Sequence, residues 1–246
     1  MSLREYYEER YTLDEAEAAR GGEWRALGAR GKTDHLLRLA DGVRGDSARV
    51  LEIGCGDGAI LAEIHSRRPG WELAGVEIAE GATALSRARN PGADVRRYDG
   101  ASLPWDDDAF DLALLSHVLE HVPEPAALLR EAARVAPLVA IEVPLEANVS
   151  ARRASKRAVS EDVGHLQRFG RADVARHAAD AGLAVIRDLT DALPRSTHTF
   201  FARSTSERVR GSTKWAARSA VHRVAPRVAE RIFTVHYACL CRRGTA

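Results

Sequence analysis

Residues 49 to 58 read Arg-Val-Leu-Glu-Ile-Gly-Cys-Gly-Asp-Gly, and this stretch decides the fold. Val50, Leu51 and Ile53 make a short apolar run suited to a buried strand. Gly54, Gly56 and Gly58 break it in a tight turn, and Ala59-Ile60-Leu61-Ala62-Glu63-Ile64 reads as the helix that follows. Strand, glycine turn and helix in that order bring backbone N–H groups within contact distance of a ligand, because glycine has no Cβ to hold it off. Glu77 lies 23 residues past Gly54, at the end of a second apolar run, Leu73-Ala74-Gly75-Val76. A carboxylate there suits a bidentate hydrogen bond to the two hydroxyls of a ribose. The pattern predicts a nucleoside-bearing cofactor.

Outward from this unit, strands and helices alternate. Strands are expected near 49–53, 72–77, 94–98, 110–115 and 138–143, with helices near 59–67, 80–89 and 124–135. Alternation of this kind means a parallel sheet covered on both faces. Residues 144–170 hold no clear element and read as a long loop. Arg171 to Ala181 reads as a helix closed by Gly182, Leu183 to Leu189 as a sixth strand and Phe233 to Leu240 as a seventh. One domain is expected, with an N-terminal helical cap (1–44), a core (45–190), a basic helical insert (191–231) and a last strand (232–242). In the insert Val221, Val224 and Val228 recur at helical spacing, which predicts an apolar stripe facing the core, interrupted by Pro226.

The 246 residues carry 45% hydrophobic and 29% charged side chains, which argues against wholesale disorder. Net charge is +1, so no bulk field draws the chain to nucleic acid or a membrane surface. Lysine occurs only at 32, 156 and 214. The arginine of the insert therefore reads first as codon bias and a solvated face. Cys55, Cys239 and Cys241 form no Cys-x-x-Cys, so neither a zinc knuckle nor a disulfide framework is supported. The first ten residues are too charged for a signal peptide, and no apolar run reaches the roughly 20 residues that cross a bilayer. A cytoplasmic protein is expected.

The glycine turn by itself also fits the G-x-G-x-x-A form of a dinucleotide fingerprint. Two further features separate the readings. Asp99-Gly100 follows a third strand-like run, with Leu103-Pro104-Trp105 just after it. Then Phe110-Asp111-Leu112 begins a fourth strand that runs into Ser116-His117-Val118-Leu119-Glu120-His121-Val122. As a set, these motifs resemble the class I S-adenosylmethionine-dependent methyltransferases of the small-molecule branch, over about residues 45–190 and the last strand. The resemblance implies an α/β, Rossmann-like domain with a seven-stranded, mostly parallel sheet whose last strand is antiparallel. It also implies roles. Gly54, Cys55 and Gly56 would pass their backbone under the methionine part of the cofactor, and Glu52 would fix the loop and the amino group. Glu77 would take the ribose, Ile78 would pack on the adenine, and Asp99 with Gly100 would meet the adenine amine. Ser116 and His117 would lie beside the methyl group. S-adenosyl-L-methionine carries no phosphate, so a site with Glu52, Glu77 and Asp99 suits it better than a pyrophosphate. An NAD-dependent dehydrogenase is the rival, but no tyrosine is followed four positions on by lysine.

Methyl transfer, which leaves S-adenosyl-L-homocysteine, needs a positioned nucleophile and, for a hydroxyl acceptor, a base. His117, His121 and His165 are the catalytic candidates, with His121 or His165 as base; each also admits a purely structural role. His35, His65, His177, His222 and His236 read as surface or core residues. His117, Glu120, His121 and His165 together are similar to the Glu-x-x-Glu-His plus distant His metal site of small-RNA 2′-O-methyltransferases, with His117 in place of the first glutamate. That change favours zinc- or iron-type ions over magnesium; whether a metal is needed stays open. Tyr6, Tyr7 and Tyr11 read as a lid, with Tyr11 or Arg10 as the contact. The expected acceptor is a small molecule, a biosynthetic metabolite or sugar, methylated on oxygen before nitrogen. An RNA acceptor and a cofactor-binding protein without turnover are the other readings.

Overall fold

The computed structural model describes residues 8, 15–42 and 45–244. The proposed lid residues Tyr6, Tyr7, Arg10 and Tyr11 lie outside them. Seven strands form one sheet: β1 (Arg49–Ile53), β2 (Glu72–Glu77), β3 (Asp94–Arg97), β4 (Leu112–Ser116), β5 (Leu138–Pro144), β6 (Leu183–Asp191) and β7 (His236–Arg243). Their order is β3-β2-β1-β4-β5-β7-β6. β7 runs antiparallel to both its neighbours, and the other pairings are parallel. The order reverses between β1 and β4, which opens a crevice at their carboxyl ends.

The helices are α1 (Glu15–Ala40), α2 (Ala59–Arg67), α3 (Glu80–Arg89), α4 (Pro125–Val135), α5 (Ala154–Asp162), α6 (Arg171–Asp180), α7 (Arg195–Thr199), α8 (Thr205–Val224) and α9 (Pro226–Ile232). Side chains alternate across a strand, so β1 sends Leu51 and Ile53 into one core layer and Val50 into the other. The first layer packs Leu129, Ala132 and Val174 of α4 and α6 on the sheet. The second packs Leu36 and Leu39 of α1 with Leu61 and Ile64 of α2. The same parity turns Glu52 of β1, Glu142 of β5 and His236 of β7 toward the face that α1 covers.

Two sequence expectations are corrected. The loop 144–170 contains α5 and a short helical turn at Ser150–Arg152. Only Ser160 of α5 is buried, so no apolar periodicity announced it. The stripe of Val221, Val224 and Val228 faces solvent, with Val224 85% exposed. It is Ala229 of α9 that is buried instead. In the N-terminal segment α1 runs unbroken from Glu15 to Ala40, with Thr33, Leu36, Leu39 and Ala40 buried. Among the described residues no helix is long and apolar enough to cross a membrane.

Candidate active site

A cavity of about 1130 Å³ occupies the crevice, and α1 contributes Trp24, Gly28, Gly31, Lys32 and His35 to its wall. Glu52, Gly54, Cys55, Gly56, Glu77 and Ile78 line one end. Asp99, Gly100, Ser116, His117 and His121 also line it. Of the described residues singled out as cofactor, catalytic or metal candidates, Glu120 and His165 do not line the cavity.

The glycine turn is held open by its backbone. Gly54 has φ 72°, and a Cβ there would stand 2.6 Å from the Val118 side chain. The N–H groups of Gly54 and Cys55 both donate to the Val76 carbonyl, at 2.8 and 2.9 Å, which ties the turn to β2. Glu77 closes it: Oε2 accepts from Gly56 N at 2.9 Å, and Oε1 from Ile78 N at 2.8 Å and Ala79 N at 3.1 Å. Burial nonetheless raises the Glu77 carboxyl above its ordinary range, against those backbone donors. Asp99 Oδ1 accepts from Ala101 N and Ser102 N at 2.8 and 2.9 Å, shaping the next loop. Cys55 points away, its Sγ 3.6 Å from Ser86 Oγ, and burial pushes its thiol well up, so it contributes backbone only.

Glu52 is 2% exposed, and its Oε2 has no hydrogen-bond partner. Burial drives its carboxyl well above the usual value; Lys32 pulls the other way. Lys32 makes no ion pair among the described residues, whereas Arg25 is engaged by Asp57 at 2.7 Å. A cation and a carboxylate thus face the cavity together beside the glycine turn.

The other end is a chain of imidazoles and carboxylates. Glu142, 2% exposed, has Oε2 at 3.3 Å from His35 Nδ1 and Oε1 at 3.2 Å from His236 Nδ1. His35 Nε2 reaches Asp191 Oδ2 at 3.3 Å. Burial lowers the His35 pKa, but Asp191 and Glu142 outweigh it and push it up to about 9. His117 sits at φ 58°, a conformation uncommon for a non-glycine residue and concentrated at functional sites. That turn puts its Nδ1 3.1 Å from Glu120 Oε1 and its Nε2 3.7 Å from Glu142 Oε1. The His117 and His236 rings lie 4.5 Å apart between centroids. His35 and His236, read from sequence as surface or core, both line the cavity.

His121 Nδ1 lies 3.1 Å from the Gly164 carbonyl. The oxygen only accepts, so Nδ1 carries the proton and Nε2 the lone pair. Burial lowers its pKa, with the like charges of His165 and His117 adding to it against Glu120. His165 is held by Glu146 Oε2 at 2.9 Å, and its ring meets His121 edge-on at 4.9 Å. The four residues grouped as a metal shell therefore divide. Glu120, His121 and His165 converge in one triad, and His117 joins Glu142 and His236 in another; within each, one ligand atom per residue lies within 4.8 Å of the others. Glu142 carries the same sequence sign as Glu52 and Glu77, a carboxylate within an apolar strand near its carboxyl end. Lys32, His35, Asp191 and His236 carry none.

A family model described as a methyltransferase domain matches residues 23–188. An uncharacterized 37.1 kDa protein in transposon TN4556 of Streptomyces fradiae is 30% identical over 174 residues, covering 64% of this chain and 49% of that protein. The ubiquinone biosynthesis O-methyltransferase of Neisseria meningitidis serogroup A is 33% identical over 147 residues, covering 52% of this chain and 60% of that protein. The matches thus span about half of these curated relatives. Among solved structures, geranyl diphosphate C-methyltransferase from Streptomyces coelicolor, crystallised with Mg2+, geranyl diphosphate and S-adenosyl-L-homocysteine, has a TM-score of 0.64. It is 14% identical, and the alignment covers 89% of this chain and 79% of that one, a likeness of fold.

Proposed function

This chain belongs to the methyltransferase-domain family of class I, S-adenosylmethionine-dependent enzymes, and we propose that it methylates an oxygen of a small hydroxylated acceptor. The observation that carries the reading is that Glu52 and Lys32 both line the cavity beside a bare-backbone turn. A methionyl group has an ammonium and a carboxylate. Glu52 offers the buried oxygen without a partner, and Lys32 the cation. Gly54 takes a left-handed turn and lets Val118 pack where a Cβ would stand. Glu77 has lone pairs beyond its three backbone donors for ribose hydroxyls. Ile78, beside Gly100, offers an apolar wall to the adenine, and Asp99 an acceptor to its amine. The donor set fits a nucleoside with an amino acid and no phosphate.

When bound, the cofactor supplies an activated methyl on sulfur. The chain's own task is to hold an acceptor oxygen in line and keep water out. His121 takes the hydroxyl proton at Nε2, since Nδ1 is committed to Gly164. Its lowered pKa keeps it neutral and ready for a proton near pH 7. His165, tied to Glu146, positions the His121 ring and stays off the cavity. The O-methyltransferase relative in Neisseria supports oxygen as the acceptor atom.

Thermal melts test the cofactor assignment: S-adenosyl-L-homocysteine should raise the melting temperature, and NAD should not. At a hundredfold excess over Kd the gain is about 2.7 kcal/mol. Methyl-labelled cofactor with fractionated cell extract tests the reaction; a labelled product whose methyl carbon resonates as O–CH3 by NMR and which is stable to mild base identifies an ether. Binding with no labelled product from any fraction would overturn the enzymatic reading.

A further inference from the structure

We propose that His117, Glu142 and His236 form a binding site for one divalent transition-metal ion at the acceptor end of the cavity. The three come from adjacent strands in the order β4-β5-β7: His117 directly follows β4, Glu142 lies in β5 and His236 opens β7. Strands hold Glu142 and His236, and His117 stands in the turn that leaves β4. Glu142 Oε1 stands 3.2 Å from His236 Nδ1 and 3.7 Å from His117 Nε2. Ligands about 2.1 Å from a shared ion lie roughly 3–3.5 Å from each other. The spacing already approaches that value.

His117 Nε2 is buried with no hydrogen-bond partner. At 3.7 Å from Glu142 it is too far for a hydrogen bond, yet it points at the same spot as the other two ligand atoms. Side chains stand where partners that orient metal ligands are found. Glu120 Oε1 lies 3.1 Å from His117 Nδ1, and His35 Nδ1 hydrogen-bonds Glu142 Oε2 at 3.3 Å. Two imidazoles and one carboxylate select zinc-, cobalt- or iron-type ions over magnesium. His117 and His236 line the cavity while Glu142 lies beneath them, so open coordination positions face the acceptor. Resting on the methyl-transfer reading, the ion's role is to hold the acceptor hydroxyl as a ligand; the O–H bond breaks more readily there, and the proton passes to His121.

Metal-free protein titrated with Co2+ tests the site without any cofactor. One cobalt per chain should bind, with visible absorption of a low-symmetry site and a cobalt-dependent rise in melting temperature. His236→Gln and His117→Gln should each weaken binding at least about 100-fold, and Glu120→Gln, which only orients His117, about 10- to 100-fold. His165→Gln should bind cobalt as the parent does. Metal-free melts of each variant report folding separately. No cobalt uptake by the parent would overturn the site, as would uptake lost in His165→Gln and kept in His236→Gln. Calorimetry with S-adenosyl-L-homocysteine on metal-free protein reports the cofactor reading independently, so either can fail alone.

Discussion

The two ends of the cavity are built in different ways. The cofactor end is local: 52–58, 77–79 and 99–102 are short segments, each at the end of one strand. The acceptor end joins residues far apart in the chain, His35 to Glu142 across 107 positions and Glu142 to His236 across 94. A turn can be specified by glycines and one carboxylate in sequence. A cluster that needs a helix, a central strand and an antiparallel last strand exists only once the sheet has closed. The first is suited to a ligand common to many proteins, the second to an acceptor particular to this one.

If the ends are separable, variants should split binding from chemistry. The largest effect is expected for His121→Asn. Loss of the base should lower kcat about 10²- to 10⁴-fold, while S-adenosyl-L-homocysteine binds within about twofold of the parent by calorimetry. A parallel loss of cofactor affinity would break the division. Next is Glu77→Ala. It removes a carboxylate from the ribose and strips Gly56, Ile78 and Ala79 of their acceptor. Hydrogen bonds to a charged group are worth about 1.5–3 kcal/mol, so cofactor affinity should fall about 100-fold. An unchanged affinity would remove the ribose assignment.

Much of the cofactor end was legible because each residue carries its own sign. Gly54 stands after an apolar run, Glu77 ends one, and Asp99 precedes Gly100. The parallel sheet followed from alternation. At the acceptor end, His117 and His121 were visible beside Glu120, but their partners were not. His236 looks like any residue opening a strand, and His35 like any polar position on a helix. Sheet parity brings Glu142 and His236 under α1, and parity across strands is readable only after the order and the antiparallel turn of β7 are known. The exposed Val221, Val224 and Val228 show the reverse error. Spacing proposed a buried face, but nothing in a helix says which neighbour will cover it.

Glu52→Gln sharpens the comparison with a smaller effect of opposite sign on stability and binding. Burial holds the Glu52 carboxyl well above its ordinary value, Asp57 and Glu77 add to this, and Lys32 opposes it. The unfolded chain releases that proton at pH ~4.3, the ordinary value for a glutamate. The folded protein binds it more tightly, so this contribution is present at low pH and is lost as pH rises from the ordinary carboxylate range through the raised folded pKa. Glutamine keeps an oxygen for the Leu61 N–H that Glu52 now accepts, and it cannot ionise. Melts against pH should show a flatter slope and a higher melting temperature at neutral pH, by about 2–4 °C per kcal/mol. Affinity for the cofactor should drop about tenfold or more as the ammonium loses its counter-charge. A variant both less stable and tighter-binding would sink the assignment.

The smallest effect belongs to α1, which spans both ends. Gly28 and Gly31 sit within that helix and line the cavity, and a Cβ at either would meet nothing within 4 Å. Glycine inside a helix costs about 0.5–1 kcal/mol relative to alanine. Gly28→Ala should therefore stabilise the free protein by about that amount, a rise of about 2–4 °C at most, with cofactor affinity unchanged. The helix tolerates the cost because bare backbone on its inner side leaves volume for an acceptor. A larger residue separates the two uses of space. Gly28→Leu should keep S-adenosyl-L-homocysteine binding and raise KM for bulky acceptors more than for small ones. Equal loss for all acceptors would show that the wall at Gly28 touches the cofactor instead.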